Sequence, residues 1–297
     1  MVQFVVDVLI RAVDLALIAI GLSSVYSLIR FPNVALVQYA TTGALVALGL
    51  QMAGLPLIVA CIAACAIVGA VAVVLNIVVF ERLLRAGSAI AMIGSLALSM
   101  VFSAIFLVTA GPRPKRFELE INPPLRFLGA RLTEHQLISV GISALAIAVF
   151  ALILFRTDLG RCMRATATNS VLASATGIDT RKVTNTVVFL SGVMAALGGI
   201  GLSIKGEMSA QLGLDMLLPV FAAAILGGLG NALGAAVGAV VIAAAETIVT
   251  NVNFGPLFGE QIMFIPAAYA TAASFLLLVI VLLMRPYGLF VSEVKRV

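Results

Sequence analysis

Two polar groups of this largely apolar chain could do work that apolar side chains cannot. The longer is Arg156–Thr186, RTDLGRCMRATATNSVLASATGIDTRKVTNT, thirty-one residues that hold five of the eighteen Lys and Arg. A connection between helices needs only roughly two to eight residues, so this length predicts a structure with a task of its own. Thr157 or Asp158 can cap one short helix, with Leu159, Cys162 and Met163 along one side. Asn169 or Ser170 can cap a second, which Gly177 can end, and Thr180 can cap the segment after it. Val171, Leu172, Ala175 and Ile178 would line one face of the second helix. Such a pair makes a small helical knob shaped for a partner's groove. A basic helix lying on anionic headgroups would have a similar composition.

The second group is Asn33, Gln38, Thr41 and Thr42, where two apolar runs meet. Gln38 and Thr42 share a helix face, and Pro32 keeps the approach to them non-helical. These side chains could bind a polar solute, or bond neighbouring helices to each other. Farther on, GGLGNALGAAVG places Gly228, Gly230 and Asn231 in one turn. It lacks the Gly-Lys-Ser/Thr ending of a phosphate loop and lies in apolar surroundings, so no nucleotide site is expected there. Gly234, Gly238, Ile242 and Glu246 recur every four residues, which puts the Glu246 carboxylate either on a glycine-lined face directed inward or, as the helix ends, beside the outer headgroups. Ser191, Ala195, Gly199 and Ser203 form a similar close-packing row.

Covalent chemistry finds no support in the sequence. His135 is the single histidine, and Cys61, Cys65 and Cys162 have no second pair or histidine beside them that would suggest a metal. No cofactor is expected. The chain is 62% hydrophobic and 10% charged, against about 45–50% and about 25% in soluble domains. Its mean hydropathy is +1.20. An all-α, polytopic integral membrane bundle is the expected fold, as one transmembrane domain over residues 1–297. The net charge of +5 is spread too thinly for nucleic acid and suits a positive-inside bias. Asp7, Arg11 and Asp14 argue against a cleavable leader.

The elements that must position these residues are apolar runs of membrane-spanning length. They cover about 13–29, 34–52, 57–80, 88–110, 137–155, 183–204 and 263–284. Between the last two, Leu214–Thr250 is too long for one span, and reads as two shortened helices, about 214–228 and 231–250, turning at GGLGN. This makes eight or nine segments with broken or shortened helices. With a cytoplasmic C-terminus, nine segments place eleven Lys/Arg inside and seven outside, five of these seven in the Pro-rich loop 111–136.

The string GRCMRATATNSVLASATGID resembles the cytoplasmic coupling loop of branched-chain amino acid ABC importer permeases, roughly G-R-A-x-R-A-x-A-x-N-x-E-x-A-x-x-x-G-I-D. Gly160, Arg161, Arg164, Ala165, Ala167, Asn169, Ala173, Gly177, Ile178 and Asp179 match, while Val171 stands where that family places glutamate. RFPNVALVQYATTGA is similar to the family's N-x-A-x-G...G-A signature through Asn33, Ala35 and Gly43, with Val37 in place of a glycine. PVFAAAILGGLGNALG and the closing RPYGLF extend the resemblance over most of the chain. It implies a permease subunit of an ATP-driven importer for branched-chain amino acids or related small solutes. Arg161, Arg164, Asn169, Ala173, Gly177, Ile178 and Asp179 would be coupling residues, and Asn33, Gln38, Thr42, Gly228, Gly230, Asn231 and Glu246 would lie near the translocation path. The implied partners are a second permease, two ABC ATPase subunits, an external solute-binding protein and membrane lipid, in the bacterial cytoplasmic membrane. An ion-coupled secondary transporter is the alternative; it would need charged groups inside the membrane, for which Glu246 is the clear candidate.

Overall fold

The computed structural model describes residues 2–117, 125–127, 130–251, 266, 269–284 and 288–290. The start of the expected last span and the first half of the closing RPYGLF motif lie outside them.

The first helix, α1 (Val2–Ile29), is longer than its apolar run. At 1.5 Å per residue it is about 42 Å long, more than a hydrocarbon layer of about 30 Å. The expected start near Val13 is therefore corrected by eleven residues. Charges at positions 7, 11 and 14 do not end the helix, because partners on other helices meet them. The chain leaves α1 at Arg30, whose φ of 55° is in the left-handed region, uncommon for a residue other than glycine. Pro32 and Asn33 then lead into α2 (Ala35–Met52).

After Gly54 and Pro56 comes one rod of three pieces: α3 (Leu57–Leu75), a π-helical turn (Asn76–Phe80) and α4 (Glu81–Ala86). The sequence places the end of this span at Phe80. The helix continues past it because the wider turn buries Asn76, whose amide donates to Asn185 Oδ1 at 2.8 Å. Gly87, with φ 129°, breaks the rod before α5 (Ser88–Ala110). A short antiparallel hairpin, β1 (Leu125–Phe127) and β2 (Ala130–Leu132), precedes α6 (Glu134–Arg156). Thr133 and Gln136 form a reciprocal capping box at its start.

The polar stretch folds as α7 (Asp158–Thr168) and α8 (Ser170–Ala175) before α9 (Thr180–Lys205). Beyond α9, the region read as two shortened helices is α10 (Leu212–Asp215), α11 (Leu217–Gly227) and α12 (Ala232–Asn251). The turn is where the sequence places it, with Gly228 and Gly230 at φ 95° and 93°. The last described helix is α13 (Ala270–Met284).

Helices α1, α2, α9, α11 and α12 form the interior, and α1 packs most extensively on α12 and α9. The close-packing rows do what their small residues permit. A Cβ on Gly199 would stand 2.0 Å from the Ala40 carbonyl oxygen, and one on Gly43 would stand 2.6 Å from Ala196. In the α11–α12 hairpin, a Cβ on Gly227 would meet Gly234 at 2.1 Å. Gly199→Val should therefore force α2 and α9 apart at a cost of about 1–3 kcal/mol or more. Thermal unfolding in detergent checks this, and an unshifted transition would refute the close approach. Helices α3, α5, α6 and α13 turn apolar faces outward, with Ile62, Met100, Leu145 and Leu283 exposed. In a bilayer these faces meet lipid tails as apolar as themselves.

Candidate functional site

The polar stretch is a rigid knob, and most of the motif residues build it rather than decorate it. The Thr157 hydroxyl accepts from the Gly160 amide at 3.5 Å and starts α7. A Cβ on Gly160 would lie 1.9 Å from the Leu154 carbonyl oxygen, so only glycine lets α7 press against the last turn of α6. Arg164 reaches back to donate to that same Leu154 carbonyl, and Arg161 pairs with Asp158. Asn169 caps α8, accepting from Val171 and Leu172 amides at 3.1 and 3.0 Å. Gly177, at φ 89°, has open space around it, so its requirement is conformational rather than steric.

Asp179, not Thr180, caps α9; its carboxylate accepts from the Lys182 amide at 3.0 Å and faces the Lys182 ammonium at 3.2 Å. That amide hydrogen bond, with the Lys182 side chain, holds the carboxyl below the usual range. A depressed carboxyl contributes stability above its unfolded value, which is lost as pH falls through the folded one. The cap is therefore fully active at neutral pH and fades only under acid conditions.

Met163, Val183 and Val187 form a small core under the knob, with Leu159, Cys162 and Ile178 packed on it. Ala173 is 4% exposed and faces inward. Its place among the sequence-derived coupling residues is thus internal, and a large charge there would break the knob rather than mark a docking face. Val171 and Leu172 instead stand 76% and 63% exposed at the tip. The expected four-residue stripe splits, Val171, Leu172 and Ala175 outward and Ile178 toward the core.

The knob is tied to three spans. The Arg30 guanidinium at the end of α1 donates to the Ala167 carbonyl of α7. Gly160 and Arg164 join it to α6, and Ile178 and Asp179 to α9. Next to it, Arg181 makes a two-pronged pair with Glu81 at 3.0 and 2.9 Å, linking α9 to α4. Movement applied to the tip would be passed to α1, α4, α6 and α9 together.

The residues assigned to a path occupy three places. Gln38, fully buried on α2, donates from Nε2 to Ser99 and Ser103 of α5 at 3.0 and 3.1 Å. Its Oε1 and the Thr41 hydroxyl have no hydrogen-bond partner, and both face Gly213 of α10, where a Cβ would lie 2.3 Å from Oε1. Asn33 Oδ1 is likewise buried without a partner, while Thr42 is satisfied by the Gln38 carbonyl at 2.9 Å. The GGLGN turn lies elsewhere, on α1: the Gly230 amide donates to Ser23 Oγ at 3.0 Å, and Asn231 Oδ1 caps α12 through the Gly234 amide at 3.0 Å. Gly228 lies against Gly288, and the Leu289 amide donates to the Leu226 carbonyl at 2.8 Å, so the closing motif braces this turn.

Glu246 is the third place. It is 1% exposed, faces the bundle interior as its spacing allows, and accepts from Arg11 and from Ser274 Oγ of α13 at 2.5 Å. Arg11 keeps 35% of its side chain exposed, unlike the buried carboxylate. Glu246→Gln should therefore cost at most about 1.5–3 kcal/mol, the range of a hydrogen bond to a charged group. Melting of the purified protein tests this, and a larger loss would show that Arg11 is left dry.

A second interior ion pair escapes the sequence reading. Asp14, 0% exposed, accepts from Lys205 Nζ at 2.7 Å and from Ser143 Oγ at 3.5 Å, and Lys205 is itself only 9% exposed. The signal was the Arg11–Asp14 spacing of three at the edge of an apolar run, which puts both charges on one face of a longer helix. Among the described residues no group of His, Cys, Asp and Glu could hold a metal ion.

Comparison with known proteins fits this architecture. Residues 4–284 match the family described as branched-chain amino acid transport system / permease component. The probable branched-chain amino acid transport permease protein LivH of Methanocaldococcus jannaschii is 27% identical over 298 residues, covering 95% of this chain and 90% of its own. The high-affinity branched-chain amino acid transport system permease protein LivH of Salmonella typhimurium is 26% identical over 298 residues, covering 95% and 93%. Among solved structures, PsaBC from Streptococcus pneumoniae in complex with Fab superposes with a TM-score of 0.51 at 15% identity, covering 96% of this chain and 93% of that one, a likeness of fold. With a bundle of apolar helices, a capped knob between two spans and a glycine hairpin in the interior, the chain belongs to the branched-chain amino acid transport system permease family.

Proposed function

We propose that this chain is the permease subunit through which an ATP-driven importer moves branched-chain amino acids or related small solutes, with the 157–179 knob docked on a cytoplasmic ATPase. The family's members are transport subunits rather than enzymes, and the chain is a multi-pass protein of the inner membrane that works with ATPase and solute-binding components. One observation carries the coupling role. The knob is fixed to several spans by caps, close glycine packing and charged hydrogen bonds, yet leaves Val171 and Leu172 uncovered. Two bare apolar side chains beside a polar helix are what a partner's groove would bury.

ATP binding and hydrolysis in the partner would push the knob and shift the spans between inward- and outward-facing arrangements, each favoured by the ligand it binds better. The working unit would hold a second permease and two ATPases, with the 111–136 region facing outward toward a solute-binding protein. Gln38, Thr41 and Asn33, whose buried oxygen atoms lack partners, would be uncovered in the alternate arrangement and meet polar groups of the passing solute. Among the described residues the two buried carboxylates are matched by cations, Asp14 by Lys205 and Glu246 by Arg11. Neither pair carries net charge to bind a driving ion, which favours ATP coupling over an ion-coupled carrier.

Sidedness tests this arrangement. Arg113→Cys should react with a membrane-impermeant maleimide in intact cells, and Val171→Cys only after lysis. Labelling of Val171→Cys in intact cells would place the knob outside and end the ATPase reading.

A further inference from the structure

Beside the knob, a cavity of about 410 Å³ opens between α4 and the start of α9. That size is within the roughly 300–1,000 Å³ of small-molecule sites. Asn76, Glu81 and Arg85 form one wall, on the rod that ends in α4, and Thr180, Arg181 and Thr184 form the other. Ile29, at the end of α1, and Leu84 supply its apolar part.

The π-helical turn builds the first wall. Five residues along a regular α-helix, Glu81 would lie about 140° around the rod from Asn76. The wider turn closes with the Glu81 amide donating to the Asn76 carbonyl, which stacks the two residues on one side. Arg85 follows one helical turn later on that side. Single π turns of this kind occur frequently at functional sites.

The charges on this wall are not matched to each other. Glu81 and Arg85 are four apart in the order that favours pairing on a helix, yet Glu81 turns to Arg181 instead, at 3.0 and 2.9 Å. Among the described residues Arg85 is left with no hydrogen bond or ion pair. Each Glu81 oxygen accepts one bond from Arg181 and keeps a second lone pair. The cavity thus offers a guanidinium for a carboxylate, a carboxylate with room for an ammonium, and an apolar side at Ile29 and Leu84.

We propose that this cavity binds a free α-amino acid with an apolar side chain from the cytoplasmic side, and that the bound molecule restrains its own import. Glu81 would repel a simple anion, and the two guanidinia a simple amine. The ligand's identity and side rest on the import reading, in which the cavity faces the compartment where the solute accumulates. The bound molecule bridges α4 to α9 at the root of the knob, two of the elements that a push on the knob must move. Arg181 is 64% exposed and Glu81 24%. Exposed charges hold a ligand weakly, so the site fills only when the solute has accumulated.

The test uses the full-length permease assembled with its second permease and ATPases in lipid nanodiscs, without the solute-binding protein. The probe is photo-leucine, which carries a diazirine in its side chain. Illumination should place adducts on Ile29 and Leu84, and excess leucine should reduce them several-fold. Neither 4-methylpentanoate, which lacks the ammonium, nor 3-methylbutylamine, which lacks the carboxylate, should do so. Arg85→Ala should lose most of the label with melting unchanged, since Arg85 has no partner in the fold. In vesicles that enclose ATP, enclosed leucine should slow uptake by the parent several-fold and by Arg85→Ala little. Adducts that 4-methylpentanoate removes as well as leucine does would overturn the site, as would adducts that yield to a short-chain phosphatidylethanolamine and not to leucine. Equal slowing of both proteins would overturn it too. Vesicles without enclosed leucine separate the two claims. Uptake there that enclosed leucine does not slow removes this site and leaves the import reading standing, whereas no uptake at all removes both.

Discussion

Asp14→Asn should destabilise the folded permease by about 3–5 kcal/mol, the cost of leaving one member of a buried ion pair uncompensated. The reason is position rather than charge alone. Lys205 is 9% exposed and has Asp14 as its ion-pair partner at 2.7 Å, so without the carboxylate its ammonium is stranded among α1, α6 and α9. The double variant Asp14→Asn with Lys205→Met should recover most of the loss, since a neutral pair leaves no buried charge. Thermal unfolding of the four proteins of this cycle in detergent measures it. Additive losses would show that the two residues act independently. The Glu246→Gln change is the internal comparison, milder because Arg11 keeps 35% of its side chain exposed.

The second large effect is expected at the knob. Leu172→Asp, alone or with Val171→Asp, should abolish ATP-dependent uptake while expression and melting stay near the parent's, because neither side chain packs inside the subunit. Truncating an anchor at the centre of an interface can cost about 2 kcal/mol, and an added carboxylate brings a desolvation cost on docking. Ala173→Arg should behave differently. A buried alanine replaced by a long cation would unfold α8, so its loss of transport would come with loss of the knob's structure. Melting and limited proteolysis separate the two cases, and normal uptake by Leu172→Asp would remove the tip from the interface.

Much of this was legible in the residues. The capped knob, the glycine hairpin and the glycine-lined face that carries Glu246 follow from caps, positive-φ glycines and four-residue spacing, all local properties of the chain. The features that escaped depend on partners distant in sequence. The pairing of Asp14 was hidden because its partner lies 191 residues away on α9. Asn76 extends the third span by bonding to Asn185, which no periodicity reveals. The inward turn of Ala173 comes from packing of α8 over α7 and α9, and on a helix of six residues the spacing could not tell the inner face from the outer. Gln38 and the GGLGN turn share polar character but not location, since each bonds to a different neighbour.

Crosslinking from the knob tip is the plainest test of its contact with an ATPase. A photoreactive phenylalanine analogue at Leu172, in the transporter assembled in native membranes, should form one prominent adduct with the co-purified ATPase subunit on illumination. The yield should change when non-hydrolysable ATP analogue is added, because docking geometry shifts with nucleotide state. Adducts with lipid alone, at a yield indifferent to nucleotide, would contradict the account and leave the knob as a membrane-surface anchor.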